Sequence, residues 1–263
     1  MATEPQLTDD LFGVRDKHVV VTGGARGVGK AIAAGLAKAG ADVTVTSRTA
    51  ASCEEAAVEI KQFGNCRGVA ADLVTAAGRR ALVEAVRDHT DHVDVLVNNA
   101  GFQWEQVVDD FPEEGWDDVY DVNIKAPFFL VQAFLPLLRA AATEDDPARV
   151  VNIGSINGIH VPSRDQFAYA SSKAAVHHLT RHLAAKLAPS ITVNAIAVGL
   201  FETGMKSGMG AAGRDPAFLE GVPLRRFGKA SDMAGTAIYL ASAAGSYVTG
   251  SVIAIDGGAA TTL

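Results

Sequence analysis

Short β-branched runs and alanine-rich segments alternate along almost the whole chain. The strand-like runs cover residues 18–21, 42–46, 66–70, 93–97, 149–153, 191–197 and 251–255. Between them apolar residues recur with helical spacing, as at Ile32, Leu36 and Ala39 before Gly40. Strands that alternate with helices imply βαβ units. We therefore predict an α/β fold, a doubly wound parallel sheet of about seven strands with helices on both faces.

The chain of 263 residues contains no internal repeat or linker that would divide it. Because 48% of its residues are hydrophobic it can bury a large core, and we predict one catalytic domain over residues 13–263 after an N-terminal extension of residues 1–12. Residues 199–228 interrupt the alternation and contain seven glycines. Such a stretch is typical of a lid or substrate loop over a site.

Charge and cysteine content narrow the partners and the compartment. The net charge of -7 lacks the basic surplus of a nucleic-acid-binding protein. Two cysteines without a paired motif fit a reducing cytosol, and the first residues lack the basic start and apolar run of a signal peptide. The apolar run at residues 126–138 is too short to span a bilayer. We expect a cytoplasmic protein with neither a nucleic-acid nor a membrane partner.

Two histidines, His178 and His182, share a helix face at i, i+4, a spacing that some zinc sites use. No acidic residue lies in the same turn. We therefore expect a solvent-facing or subunit-facing pair and no metal site.

A glycine-rich turn follows the first strand directly, in the sequence TGGARGVG at residues 22–29, and a helix comes next. Strand, glycine turn and helix N-terminus bring bare backbone N–H groups close to a pyrophosphate. Glycine tolerates the positive φ angles and the close approach that such a turn requires. An ordinary glycine turn is the alternative, because this spacing alone is a moderate signal. We predict a Rossmann-type dinucleotide site that includes Gly23, Arg26, Gly27, Val28 and Gly29.

The end of the second strand indicates which dinucleotide binds. NAD sites usually carry an acid there that holds the ribose hydroxyls. This strand instead ends at Arg48, and Asp42 lies at its start. An arginine pairs bidentately with a 2′-phosphate, and Arg26 offers a second cation. NADP(H) is therefore favoured over NAD(H), with two merely solvent-exposed arginines as the alternative.

Tyr169 and Lys173 stand four residues apart in a predicted helix over residues 168–187, so both point to one face. A nearby ammonium stabilises a phenolate, and such a tyrosine can exchange a proton with a carbonyl or an alcohol near neutral pH. Ser155 follows the strand that ends at residue 153, and its hydroxyl can hold the substrate oxygen. The combination predicts a site for carbonyl–alcohol interconversion.

The motifs TGGARGVG, NNAG at 98–101 and YASSK at 169–173, with further matching residues between them, resemble the short-chain dehydrogenase/reductase family over residues 13–258. The resemblance implies a catalytic tetrad of Asn123, Ser155, Tyr169 and Lys173. In it, Ser155 orients the carbonyl and Tyr169 is the acid/base. Lys173 binds the nicotinamide ribose and lowers the pKa of the tyrosine. Asn123 holds a water that connects the lysine to solvent.

The same resemblance implies the remaining cofactor contacts. Asp72 lies at the adenine edge, Asn99 near the adenosine ribose, and Thr203 at the nicotinamide carboxamide. The implied set of cofactor contacts also includes Leu73, Ala100, Gly101, Tyr169 and Lys173. A homotetramer is implied as well, through the helices at 113–139 and 168–187 and the C-terminal strand.

Two positions depart from the usual pattern of the family. Val198-Gly199 stands where the family usually has Pro-Gly, so the nicotinamide loop has freer φ. The spacing from Ser155 to Tyr169 is one residue longer than the commonest one. We expect a bulged loop between Ile156 and Phe167 that shapes the substrate pocket.

Within the family, the pattern ARVVNIGSINGI, the long serine–tyrosine spacing and the ending TGSVIAIDGG resemble 3-oxoacyl (β-ketoacyl) reductases of the branch linked to rhamnolipid synthesis. This implies NADPH-dependent reduction of a 3-oxoacyl thioester. An NAD(P)-dependent alcohol, sugar or polyol dehydrogenase is the alternative, because the same tetrad serves both directions. A non-catalytic cofactor-sensing protein is the alternative of a different class. With no arginine at the end of the YASSK helix, acyl carrier protein, coenzyme A and a free ketone all stay open.

Overall fold

A seven-stranded parallel sheet forms the centre of the molecule in a computed structural model, which describes residues 7–202 and 219–261. Its strand order is β3-β2-β1-β4-β5-β6-β7, and every neighbouring pair is parallel. The strands are β1 (His18–Thr22), β2 (Asp42–Ser47), β3 (Cys66–Ala70), β4 (Val95–Asn98), β5 (Ala148–Ile153), β6 (Ile191–Val198) and β7 (Val252–Ile255). The doubly wound fold class is confirmed, and each strand lies within two residues of its predicted position.

Helices cover both faces of this sheet. They are α1 (Leu7–Phe12), α2 (Gly27–Lys38), α3 (Ala50–Lys61), α4 (Ala76–Arg87), α5 (Glu113–Tyr120), α6 (Ala126–Ala141), α7 (Phe167–Leu187) and α8 (Ala230–Ala241). In β1, Val19 and Val21 pack with α2, α3 and α8, whereas Val20 packs with α4 and α6. Successive side chains of a strand point to opposite faces, and both faces here are apolar. This explains why the strands read as continuous runs of valine and isoleucine.

A single π-helical turn, Asp121–Lys125, joins α5 to α6. The predicted regular helix over 113–139 is therefore corrected: one extra residue enters the helix here, and Asn123 lies in that turn. The turn does not end the helix, so Glu113–Ala141 forms a 29-residue helix that is long and apolar enough to cross a membrane by length and composition alone. The apolar run at residues 126–138, on which the expectation rested, is shorter than the continuous helix that the structure shows. Leu130, Phe134 and Leu138 of this helix pack against the sheet as part of the core.

The order of the strands positions the site. The chain winds outward from β1 to β3 and then returns to start β4 on the other side of β1. Loops that leave the carboxyl ends of parallel strands meet at one edge of the sheet, and ligands bind where the winding reverses. The predicted site residues follow β1, β2, β3, β4 and β5, so the fold brings them to this edge.

Candidate active site

The glycine turn between β1 and α2 has the backbone that the sequence predicted. Gly23 has φ +62° and Gly27 has φ +57°, left-handed values that favour glycine. A Cβ atom on Gly29 would lie 2.2 Å from the Asn99 amide nitrogen. The start of α2 therefore approaches the end of β4 too closely for any side chain, and the turn leaves backbone exposed for a pyrophosphate to approach.

Asn99 stabilises this turn from the neighbouring strand. Its side-chain amide donates to the carbonyls of Thr22 at 2.7 Å and Gly23 at 3.1 Å. The Thr22 hydroxyl in turn accepts from the backbone N–H groups of Asn99 and Ala100 at 2.9 and 3.0 Å. The amide of Asn99 thus holds the loops after β1 and β4 together, a role that its expected position near a ribose did not include. Gly101 follows, where an added Cβ would approach Asn123 and the Lys173 ammonium.

Cationic and acidic residues lie at the ends of β2 and β3. Arg48 is exposed just beyond β2, and Arg26 is exposed at the N-cap of α2 beside Val28. Asp72 is exposed beyond β3, and its carboxylate accepts a hydrogen bond from the Val74 N–H at 3.2 Å. Both arginines therefore stand at the edge of the sheet where the sequence predicted a 2′-phosphate.

Ser155, Tyr169 and Lys173 come together at the end of β5. The Ser155 side chain lies close enough to the Tyr169 phenol to affect its pKa. Lys173 lies one helical turn after Tyr169, with its ammonium 5.5 Å from the centre of the tyrosine ring, and it donates to the Ile153 carbonyl at 2.8 Å. The predicted spacing thus does place the serine hydroxyl, the phenol and the ammonium on one side of α7.

Burial is the main cause of the pKa shifts of Tyr169 and Lys173. Desolvation lowers the pKa of Lys173 to about 8, because the buried ammonium loses hydration. Desolvation also raises the pKa of Tyr169, and the hydrogen bond from Ser155 opposes this rise. Ser155 is the group that opposes the rise in this structure, and the lowering of the tyrosine pKa by Lys173 stays a prediction. At neutral pH the phenol carries its proton and can donate it.

Asn123 uses its side chain to hold the loop after β4. Its amide oxygen accepts from the Phe102 N–H at 2.8 Å, and its amide nitrogen donates to the Phe102 carbonyl and the Ser172 hydroxyl, both at 2.9 Å. A small cavity of about 10 Å³, room for about one water, is lined by Asn98, Asn123, Asn152 and Lys173 among others. The water that the resemblance implied would fit in this cavity.

Sequence reasoning missed His177, which is buried one turn after Lys173. Its ring lies over Gly154, where an added Cβ would come within 2.2 Å of Nε2. Burial lowers the pKa of His177 to about 4, and a hydrogen bond with the backbone of Gly158 opposes this shift. Both glycines flank Ser155, so the neutral imidazole fixes the turn that carries the serine. The predicted pair His178 and His182 is exposed.

The loops after β4 and β5 border the serine and are joined to each other. Arg164 pairs with Glu105, and the Gln106 N–H donates to the Asp165 carbonyl at 3.1 Å. Residues 156–158 form a 3-10 turn and the chain continues irregularly to α7, as the long serine–tyrosine spacing predicted. This loop also carries the exposed side chain of Val161.

The predicted lid is described only in part. Thr203 lies outside the described residues, so its implied contact has no structural counterpart here. Val198 ends β6, and the Gly199 N–H donates to the Ile255 carbonyl at 3.0 Å, which continues the pairing with β7. Leu219 and Val222 pack against Ile156, the residue next to Ser155. The far end of the predicted lid therefore contacts the catalytic turn.

Known proteins provide an independent comparison. A family model described as short chain dehydrogenase matches residues 17–212. The chain is 42% identical over 252 residues to the rhamnolipids biosynthesis 3-oxoacyl-[acyl-carrier-protein] reductase of Pseudomonas aeruginosa, covering 94% of this chain and 97% of that protein. It is 35% identical over 257 residues to the 2-dehydro-3-deoxy-D-gluconate 5-dehydrogenase of Dickeya dadantii, covering 95% and 97%.

Among solved structures, the Pseudomonas aeruginosa RhlG/NADP active-site complex matches with a TM-score of 0.90 and 41% identity, covering 95% of this chain and 99% of that one. The family predicted from the motifs is confirmed, and the chain belongs to the short-chain dehydrogenase/reductase family of oxidoreductases.

Proposed function

We propose that this protein is an NADPH-dependent reductase that converts a 3-oxoacyl thioester into the 3-hydroxyacyl form. The observation that carries the proposal is the Lys173 ammonium 5.5 Å from the centre of the Tyr169 ring, with the Ser155 side chain near the phenol at the end of β5. A protonated phenol held against a second hydroxyl is suited to receive a carbonyl oxygen and to give it a proton.

NADP(H) is the cofactor of this proposal. The left-handed glycines of the turn after β1 and the close approach at Gly29 fit a pyrophosphate, since a Cβ there would collide. Exposed Arg48 and Arg26 fit a 2′-phosphate. The remaining contacts proposed from the resemblance are those of Asp72, Leu73, Asn99, Ala100, Gly101 and Thr203.

The residues of the chain divide the reaction between them. The bound nicotinamide supplies the hydride. Ser155 donates a hydrogen bond to the carbonyl oxygen, and Tyr169 donates its proton to the same oxygen as the hydroxyl forms. Lys173 stabilises the phenolate that remains, and the cavity beside Asn123 offers a water from which the proton is replaced.

The substrate class rests on the mouth of the site and on one relative. Phe102, Ile159 and Val161 expose apolar side chains on the two loops beside Ser155, a surface suited to an acyl chain. The relative at 42% identity is named a 3-oxoacyl-[acyl-carrier-protein] reductase. The second candidate is oxidation of a sugar acid, because several relatives are named gluconate dehydrogenases or reductases. Coenzyme A and acyl carrier protein are both candidate carriers of the thioester.

The test measures consumption of NADPH with 3-oxoacyl thioesters of increasing chain length, on coenzyme A and on acyl carrier protein, against keto sugar acids. We expect the thioesters to be reduced faster, with a rate that rises with chain length. Faster turnover of the sugar acids would overturn the substrate assignment. NADPH binding without turnover of any carbonyl would favour the non-catalytic alternative.

Replacing the acid/base tests the mechanism. Tyr169→Phe removes the proton donor and is expected to lower kcat by about 10²–10⁴-fold, with NADPH binding unchanged in a fluorescence titration. Unchanged turnover would rule out the proposed role of the tyrosine. Ser155→Ala should also reduce kcat, because the carbonyl then loses one of its two hydrogen bonds.

The proposal also assigns the whole of residues 13–263 to one catalytic domain, a cytoplasmic location and a homotetramer. The acidic balance of -7 supports the expectation that no nucleic acid is a partner, and the packing of the Glu113–Ala141 helix against the sheet supports the expectation that no membrane is.

A further inference from the structure

Arg79, in the first turn of α4, is a buried cation that the mechanism does not use. Only 8% of the residue is exposed. Its guanidinium donates to the carbonyls of Leu73 at 2.8 Å and Val74 at 2.7 Å, and lies 5.2 Å from the centre of the Phe129 ring. Within residues 7–202 and 219–261 no carboxylate forms an ion pair with it. Its charge is therefore balanced by two backbone carbonyls and an aromatic face.

Those carbonyls belong to the loop that follows β3. The Thr75 hydroxyl caps this loop by donating to the Asp72 carbonyl at 3.1 Å, and it accepts from the Gly78 N–H at 2.9 Å. A Cβ on Gly78 would lie 2.0 Å from the Asp72 carbonyl oxygen. The loop thus lies directly on the first turn of α4. Arg79 binds the carbonyls of Leu73 and Val74 in the middle of the loop.

The position of the loop connects it to the cofactor site. Ala70 pairs with Ser47 across β2 and β3, and the Ala71 N–H donates to the Ser47 carbonyl at 2.8 Å. Asp72 and Leu73 therefore stand next to Arg48, at the edge where the proposed function locates the adenosine half of NADPH. Of the two hydrogen bonds that Arg79 donates, the one to the Leu73 carbonyl is the more buried.

Stability alone does not account for an arginine here. Burying a cation without a carboxylate is unfavourable, and an apolar side chain of similar size in such a place is often neutral or stabilising. A lysine cannot replace the planar guanidinium that contacts two carbonyls and a ring together. The arrangement fixes the loop geometry at a cost in desolvation, which is typical of a group retained for positioning.

We propose that Arg79 is a positioning residue for the adenosine half of the cofactor: it fixes the Leu73 and Val74 carbonyls so that Asp72 and Leu73 present a preformed surface to the adenine. The inference rests on the proposed function for the location of the adenine. Because a preformed loop needs no ordering when the cofactor binds, loss of Arg79 weakens cofactor affinity while the distant hydride-transfer step proceeds unchanged.

The experiment uses the full-length protein with Arg79→Met, Arg79→Lys and the matched control Arg80→Met, since Arg80 is exposed on the same helix. NADPH, adenosine 2′,5′-bisphosphate and reduced nicotinamide mononucleotide are titrated separately. We expect Arg79→Met to weaken binding of NADPH and of the bisphosphate by about tenfold. Arg79→Lys should fall between Met and wild type, and Arg80→Met should equal wild type.

Two further measurements separate positioning from general damage. The melting temperature of Arg79→Met should stay within about 4 °C of wild type, and kcat at saturating NADPH should not change. Wild-type affinity for the bisphosphate in both Arg79 variants would overturn the inference. Equal weakening of the nicotinamide fragment would also overturn it, because that result means loosening of the whole site. If Arg79→Met does not fold, the bisphosphate affinity of Arg79→Lys decides. If the wild type itself binds no NADPH, the proposed cofactor is wrong and the inference falls with it.

Discussion

At the scale of single residues, the candidate site combines a group of side chains at the end of β5 with two asparagine amides that hold the neighbouring loops. Ser155, Tyr169 and Lys173 are brought together as their spacing indicated. Asn99 and Asn123, in contrast, use their amides to hold loops, because each faces a backbone segment that is distant in the sequence. No sequence pattern records such pairings.

His177 escaped notice for a related reason. The sequence shows a helical pair at His178 and His182, and this regular spacing draws attention to the exposed face of α7. Which of three nearby histidines is buried depends on how α7 packs against β5 and β6. The space that Gly154 leaves is filled by the His177 ring.

This packing leads to a prediction for Gly154→Ala. The glycine has no left-handed φ, so only the imidazole 2.2 Å from the new Cβ opposes the substitution. We expect destabilisation of about 1–3 kcal/mol and a lower kcat as the turn of Ser155 shifts. The double variant Gly154→Ala with His177→Ala should lose less stability than the sum of the two single variants, because the new methyl group enters the space of the missing ring. Denaturant unfolding of the four proteins measures this coupling, and strict additivity would contradict it.

At the scale of elements, periodicity located all seven strands because both faces of a parallel sheet are buried and select β-branched runs. It failed at the π turn Asp121–Lys125, where the apolar spacing on either side continues as in a regular helix. An extra residue in a helix changes the backbone hydrogen bonds without changing the composition. The turn carries Asn123, so the one irregular point of this helix lies at the candidate site.

The contact between α2 and α8 provides a matched pair of glycines. A Cβ on Gly35 of α2 would lie 2.3 Å from the Cβ of Ala234, whereas a Cβ on Gly235 of α8 would meet nothing within 4 Å. We expect Gly35→Ala to destabilise the protein by about 1–3 kcal/mol because the helices must separate. Gly235→Ala should stabilise it by about 0.5–1 kcal/mol, because alanine favours the helix. Thermal unfolding compares both with wild type. Equal shifts of the same sign would show that helix packing does not limit position 35.

At the scale of the whole molecule, net charge is a poor guide to the site. The balance of -7 predicts that a polyanion such as nucleic acid is not a partner, and this stays a prediction. Yet Arg26, Arg48 and Lys173 all converge on one edge of the sheet, because strand order gathers residues that are far apart in sequence. An acidic protein can thus offer a local cationic site to an anionic cofactor. Topology, which the alternation of elements predicted, made this convergence foreseeable.

The outer surface of the helices carries the last prediction. Trp116 on α5 and Phe167 at the start of α7 are each 41% exposed, and both pack edge-on against Phe111. The two helices that carry these side chains are those through which the resemblance implies a homotetramer.

We predict that wild-type protein is a tetramer in light scattering at micromolar concentration, and that Trp116→Glu with Phe167→Glu lowers the mass by burying charge at the interface. Val58→Glu, on the exposed face of α3, is the matched control and should leave the mass unchanged, because Val58 is 64% exposed on another part of the surface. A monomeric wild type would contradict the assembly. A double variant that remains tetrameric would instead locate the interface elsewhere. In an apolar contact between symmetry-related copies, each new carboxylate would be buried without a cationic partner, and the free-energy cost of this burial would disrupt the contact.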